Sequence, residues 1–158
     1  SNCAVILSRL GVPTVAVGNH TGYLYNPEGF NAHKLQDWVE SHGSIAGYPG
    51  GKAITREEFF RTKADIFAPC ALENQIGETE ARAITAKVVV EGANGPCTPE
   101  GERVLLEKGI DILPDVLANS GGVTVSYYEW VQNKRSESWS LEEVDEPPST
   151  TSSSGARR

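Results

Sequence analysis

The sequence predicts a doubly wound α/β domain built on a parallel sheet, and three observations carry that expectation. The candidate strands are apolar throughout instead of alternating, helical stretches separate them, and capping residues or stop glycines bound most of those helices. Strands of this kind are buried on both faces, so helices are expected above and below the sheet.

The elements follow in order. Cys3, Ile6, Leu7 and Leu10 recur at i, i+3, i+4, i+7 with Gly11 beyond them, which predicts an opening helix with that face buried. TVAVGN is a short β-branched run and predicts a buried strand, after which His20-Thr21-Gly22 turns the chain. A second helix is expected over 31–42, capped by Asn31, with Leu35, Trp38, Val39 and His42 on one face and Gly43 as its stop. A loop rich in glycine, GSIAGYPGGKAI, leads to Thr55-Arg56-Glu57-Glu58, a capping box that opens a short helix around Phe59 and Phe60. Strand and helix then alternate: DIFAPC, a helix over about 73–85, KVVVEGA, and a helix capped by Thr98 with Pro99 at its first position and Gly109 at its close. IDIL is the last strand. Val123, Tyr127, Trp130 and Val131 place a long helix over about 121–132.

Composition narrows the function. The chain has 158 residues, net charge −7, and is 39% hydrophobic and 22% charged, the profile of a globular protein with a real core. An acidic balance without Lys/Arg blocks argues against nucleic acid, and no apolar run reaches the roughly 20 residues of a membrane span. The cysteines Cys3, Cys70 and Cys97 are odd in number and lack a C-x-x-C pair, which suggests reduced thiols in a cytoplasmic compartment; an organellar leader would be invisible here. Past Trp139 the composition turns acidic and then Ser-rich, so the folded domain is expected over 1–145 and a disordered tail over 146–158. The chain opens Ser-Asn-Cys and contains no methionine, so it is expected to be a portion of a longer product.

Ligands of open parallel sheets lie beyond the carboxyl ends of the strands. Four loops fall there: GNHTG, APCALEN, GANGPCTPEG and PDVLANSGG. Three carry asparagines, Asn19, Asn94 and Asn119, whose amides offer a donor and an acceptor to a carboxamide or a sugar hydroxyl. Glu73 and Glu91 are candidates for polar work at these ends, although a glutamate at a helix start is favoured by the dipole anyway. Cys70 follows Pro69 with no base nearby in sequence and reads as a buried small hydrophobe. His20, His33 and His42 lack zinc-site spacing, and Lys52, Lys63 and Lys87 read as solvated. The residues define a ligand site without its chemistry.

The run KVVVEGANGPCTPEG followed by DILPDVLANSGGVTVSYYEWVQN closely resembles the C-terminal, dinucleotide-binding domain of glutamate dehydrogenases, of the Glu/Leu/Phe/Val dehydrogenase family. VAVGNHTGYLYNPEGFN and HGSIAGYPGGKAI resemble its earlier part, so the likeness covers residues 1 to about 145. It implies an incomplete Rossmann-like sheet lacking its first strand and glycine-rich phosphate turn, with the catalytic groups in an absent N-terminal domain. It implies NAD or NADP as cofactor and L-glutamate and 2-oxoglutarate as substrates. Asn19 would sit at the adenosine ribose, where many members carry an acid; an amide leaves both cofactors open. Cys70 and Ala71 would pass beneath the nicotinamide ribose, with Asn94 and Asn119 near that ribose and the carboxamide. Val123 and Ser126 would contact substrate, the Ser126 hydroxyl facing the side-chain carboxylate of glutamate. The whole enzyme would be a homohexamer, and this portion alone inactive and monomeric. The rival reading is a non-catalytic nucleotide-binding or interaction module.

Overall fold

The computed structural model describes residues 2–136 and 138–140; the tail expected over 146–158 lies outside the described residues. The chain divides into two compact units between Ala118 and Asn119.

The first unit opens with α1 (Asn2–Arg9). Its buried residue is Val5, while Ile6 and Leu10 are 55% and 73% exposed, so the face expected to be buried is not. Residues 3–7 are apolar without a break, and such a run leaves the phase of the buried stripe undetermined. β1 (Ala16–Asn19), β2 (Gly22–Tyr25) and β3 (Lys52–Ile54) form an antiparallel sheet in that order. TVAVGN is therefore a strand, as expected, but its partner is β2 and not a parallel neighbour. The Asn19 Oδ1 accepts from the Thr21 N–H at 2.8 Å and the Thr21 hydroxyl at 2.6 Å. That closes a turn of two residues with Asn19 opposite Gly22, and so short a link joins only antiparallel strands.

α2 (Ala32–His42) has the expected ends: Asn31 accepts from the Lys34 N–H at 3.0 Å, and Gly43 takes the left-handed conformation. Leu35 is buried with Leu24, Phe30, Ile45 and Tyr48, and Trp38 and Val39 pack around them. His42 is exposed and stacks on Trp38 with ring centroids 3.7 Å apart. α3 (Arg56–Arg61) carries the Thr55/Glu58 capping box with both bonds formed. It joins two cores, because Phe59 contacts Tyr23 of the antiparallel sheet (centroids 5.1 Å) while Phe60 is buried in the core beneath the second sheet.

The second sheet is parallel, β4 (Ile66–Phe67), β5 (Val88–Val90) and β6 (Asp111–Leu113), with β5 in the centre. Val89 pairs with Phe67 on one side and Ile112 on the other and is fully buried. α4 (Glu78–Ala83) and α5 (Pro99–Glu107) cover one face through Ala81, Ile84, Val104 and Leu105. The opposite face is less covered than expected: Ile66 and Leu113 are exposed.

α4 begins five residues later than predicted because the backbone before it is engaged elsewhere. Ile76 donates to the Pro96 carbonyl and accepts from the Thr98 N–H, both at 3.0 Å, while Asn74 donates to Gly95 at 2.9 Å. At the other end of α4 the Lys108 ammonium donates to the carbonyls of Ala81 and Arg82 at 2.9 Å and to that of Ile84. A cation there satisfies the carbonyls that a helix end leaves unpaired. Burial, and secondarily Arg82, lowers the Lys108 pKa. The unit ends in a short helix, α6 (Asp115–Ala118).

The second unit holds α7 (Ser120–Arg135), which takes in Gly121 and Gly122. Tyr127 stacks against Trp130, Tyr128 meets Trp139 edge-on, and the Trp139 N–H donates to Gln132 at 3.0 Å. Among the described residues no helix is long and apolar enough to cross a membrane.

Candidate functional site at the parallel strand ends

Three loops leave the carboxyl ends of β4, β5 and β6, and their backbones are tied to one another. The Ala93 N–H donates to the Pro69 carbonyl at 2.9 Å, joining the first two, and the Glu91 N–H donates to Leu113 at 3.0 Å, joining the second and third. Side chains complete the tie. Glu91 is 8% exposed, and its Oε2 accepts from the Asp115 N–H at 3.1 Å. Asp115 in turn accepts from the Gly95 N–H at 2.8 Å with Oδ2 and from the Val116 N–H at 2.7 Å with Oδ1. Two carboxylates thus consume N–H donors that loop closure would otherwise orphan.

Cys97 sits beside this network. Burial first, and then its hydrogen bond to Glu91 and the nearby Glu102 carboxylate, pushes its thiol up to about 12, so it is a neutral packing group. Cys70 differs from its expected role as a buried hydrophobe: the residue is exposed, three positions beyond the end of β4. Its sulfur lies against Gly92, where an added Cβ would come within 2.7 Å of it, so the glycine makes room for the thiol.

The loops hold the expected residues Cys70, Ala71 and Asn94 at one sheet edge, and these three are exposed together with Gly92 and Gly95. Asn19 ends β1 in the other sheet, where its Oδ1 closes the hairpin. Asn119, Val123 and Ser126 belong to the second unit. They fall at i, i+4 and i+7 along the start of α7, one stripe of a helix, with Val123 73% exposed. Glu73 and Glu91 part company: Glu91 is buried in the loop tie, whereas Glu73 is exposed. Lys87 is exposed and pairs with Asp65 at 2.8 Å. Among the described residues no three His, Cys, Asp or Glu side chains gather to hold a metal.

Asp115 is the functional-site residue that sequence reasoning passed over. Pro114-Asp115 directly after a strand is a helix-start signal and would have marked it.

A parallel sheet whose strand ends gather exposed small residues, backbone amides and an asparagine defines an open α/β domain of the kind that receives its ligand at that edge. The comparisons make this specific. A model of the Glutamate/Leucine/Phenylalanine/Valine dehydrogenase family matches residues 1–152, and the chain belongs to that family. The chain is similar to the NAD-specific glutamate dehydrogenase of Peptoniphilus asaccharolyticus, 50% identical over 129 residues, covering 82% of this chain and 30% of the relative. It is similar to NADP-specific glutamate dehydrogenase A1 of Halobacterium salinarum, 41% identical over 147 residues, 92% of this chain and 35% of the relative. Among solved structures it resembles the hetero-hexameric glutamate dehydrogenase of Thermus thermophilus in its Leu-bound form, with a TM-score of 0.82 and 37% identity over 90% of this chain and 33% of that one. The chain spans about a third of the length of the proteins it matches.

Proposed function

We propose that this chain is the cofactor-side portion of a cytoplasmic glutamate dehydrogenase, an enzyme that interconverts L-glutamate, water and NAD(P)+ with 2-oxoglutarate, ammonia, NAD(P)H and a proton. The observation that carries the proposal is the tie of the three strand-end loops through Glu91 and Asp115, which fixes an edge of small exposed residues. Family membership, and relatives named for NAD and for NADP, support a dinucleotide as the ligand.

The residues present fit such a group. Cys70, Ala71, Gly92 and Gly95 carry at most one heavy atom beyond Cβ, so a flat ring could approach the backbone there, and Asn94 brings an amide to the same edge. When bound, the nicotinamide accepts or returns the hydride. What this chain does is orient it: the loop tie holds the edge rigid, and rigidity of position is what hydride transfer demands. Asn19 would meet the adenosine ribose. Its lack of charge imposes no repulsion on a 2′-phosphate, so NAD and NADP are both admitted. On α7, Asn119 would reach the nicotinamide side, and Val123 and Ser126 the substrate. The whole enzyme would be a hexamer, as the Thermus relative is described.

Titration of the chain with NADH and NADPH, followed by cofactor fluorescence, tests this. Saturable binding of at least one cofactor, weakened at least tenfold by Asp115→Ala in a chain that keeps its circular dichroism, is expected. No binding of either, or binding indifferent to Asp115, would overturn it. Glutamate-dependent reduction of either cofactor is not expected from these 158 residues alone.

A further inference from the structure

Among the described residues the sheets β1–β2–β3 and β4–β5–β6 share no strand pairing, and each stands on its own core. α3 lies between them. Its aromatic contacts, Phe59 to Tyr23 at 5.1 Å and to Phe67 at 5.7 Å and Phe60 to Phe67 at 5.5 Å, are apolar, and apolar attraction has no preferred direction. Arg56, the first residue of α3, supplies the directional link. Its Nη1 donates to the Tyr23 hydroxyl at 3.2 Å, and its Nη2 donates to the Gln75 carbonyl at 3.0 Å and to Glu80 Oε1 at 3.2 Å. The guanidinium lies 4.9 Å from the centroid of the Phe60 ring. A planar, permanently charged fork holds such acceptors at set angles, which a flexible ammonium would not.

Both ends of this link lead to groups of the candidate site. Tyr23 is paired with Gly18 across the β1–β2 ladder, one residue before Asn19, and its ring packs where a side chain at Gly18 would stand. Gln75 lies between Asn74 and Ile76, whose N–H groups donate to the carbonyls of Gly95 and Pro96 at 2.9 and 3.0 Å. The segment that Arg56 grips on that side therefore carries the loop of Asn94 and Gly95.

We propose that Arg56 is a positioning residue that sets the span between Asn19 and the Asn94–Gly95 loop, so that one dinucleotide engages both at once. The inference rests on the cofactor reading given above. Two contacts on one ligand make the second contact intramolecular, and its effective concentration falls when the span is no longer held. Half of a cofactor meets only one of the two points and is indifferent to the span.

The test compares the 158-residue chain with Arg56→Met, which keeps an unbranched stem against Phe60 and removes the guanidinium. Residual dipolar couplings of the backbone amides, measured without ligand, should fit one alignment tensor across both sheets in the wild type and require two in the variant. Affinity for NADH or NADPH should fall roughly tenfold, while AMP and nicotinamide mononucleotide change by less than about twofold. Tyr23→Phe, which keeps the ring on Phe59 and loses only the hydroxyl, should move both readouts the same way by less, and it carries the test if Arg56→Met fails to fold. A single tensor for both sheets in the folded variant, an unchanged dinucleotide affinity, or an equal loss for the dinucleotide and its halves would overturn the proposal. A wild-type chain that binds neither dinucleotide is a different failure, that of the cofactor reading, and it removes the role of Arg56 with it.

Discussion

Gly101 offers the sharpest test of how the strand-end loops are supported. It lies in the first turn of α5, where replacing glycine with alanine ordinarily stabilises a helix by about 1 kcal/mol. Here the sign should reverse. A Cβ at Gly101 would fall well inside contact distance of the Ile76 carbonyl oxygen, and would lie 3.1 Å from the Ile76 carbonyl carbon and 3.2 Å from the Gly77 oxygen. All three atoms are backbone, so no side chain can swing aside, and Ile76 is pinned by its bonds to residues 96 and 98. Overpacking of a tight site costs about 1–3 kcal/mol, and a collision with fixed backbone belongs at or beyond the top of that range. Offset by the helix gain, Gly101→Ala should destabilise by roughly 2 kcal/mol, which for a chain of this size lowers the melting temperature by about 4–8 °C. Gly121, in α7 with open space around its Cα, is the control: alanine there should raise stability by about 0.5–1 kcal/mol. Calorimetric melts of the two variants decide the matter. An unchanged or raised melting temperature for Gly101→Ala would refute the close packing of α5 on the 74–77 segment.

Lys108→Met keeps the stem but removes the ammonium that serves three carbonyls at the end of α4, and should cost roughly 1–3 kcal/mol, read as a lowered urea midpoint. Cys97 stays protonated in the folded chain up to about pH 12, whereas an unfolded thiol ionises near pH 8.5, so the unfolded state releases its proton first. The stability tied to that thiol is therefore full below about pH 8.5 and is lost as pH rises from there toward 12. Iodoacetamide at pH 8 should label Cys97 only after unfolding, and Cys97→Ser should flatten the alkaline decline of the urea midpoint.

What the residues disclosed in advance depended on whether the determinant was local. Asn31, Thr55 and Thr98 were legible as caps because a cap is set by a few neighbouring residues, and each makes its bond. The apolar runs of β4, β5 and β6 were legible as a parallel set for the same reason. The pairing of β1 was not, because TVAVGN is equally apolar in either kind of sheet and the direction was decided by the Asn19–Thr21 turn. The late start of α4 was hidden as well: its sequence is helical in character, and the competitor for its backbone lies some 20 residues away, at 95–98. At the strand ends the loops and their asparagines were visible. The tie through Asp115 was not, since nothing local shows that its carboxylate reaches Gly95 while its N–H meets Glu91. Cys70 was placed in the interior because composition cannot tell a thiol facing a gap beside Gly92 from one in a core.

The edge beyond β4, β5 and β6 is the proposed seat of the dinucleotide. Backbone amide NMR of the chain during titration with NADH and NADPH tests it most directly. Saturable shifts concentrated at Cys70, Ala71, Gly92, Asn94 and Gly95, with a second group around Asn19, are expected. Shifts confined to α2 and the 44–51 loop, or none at millimolar cofactor, would contradict it.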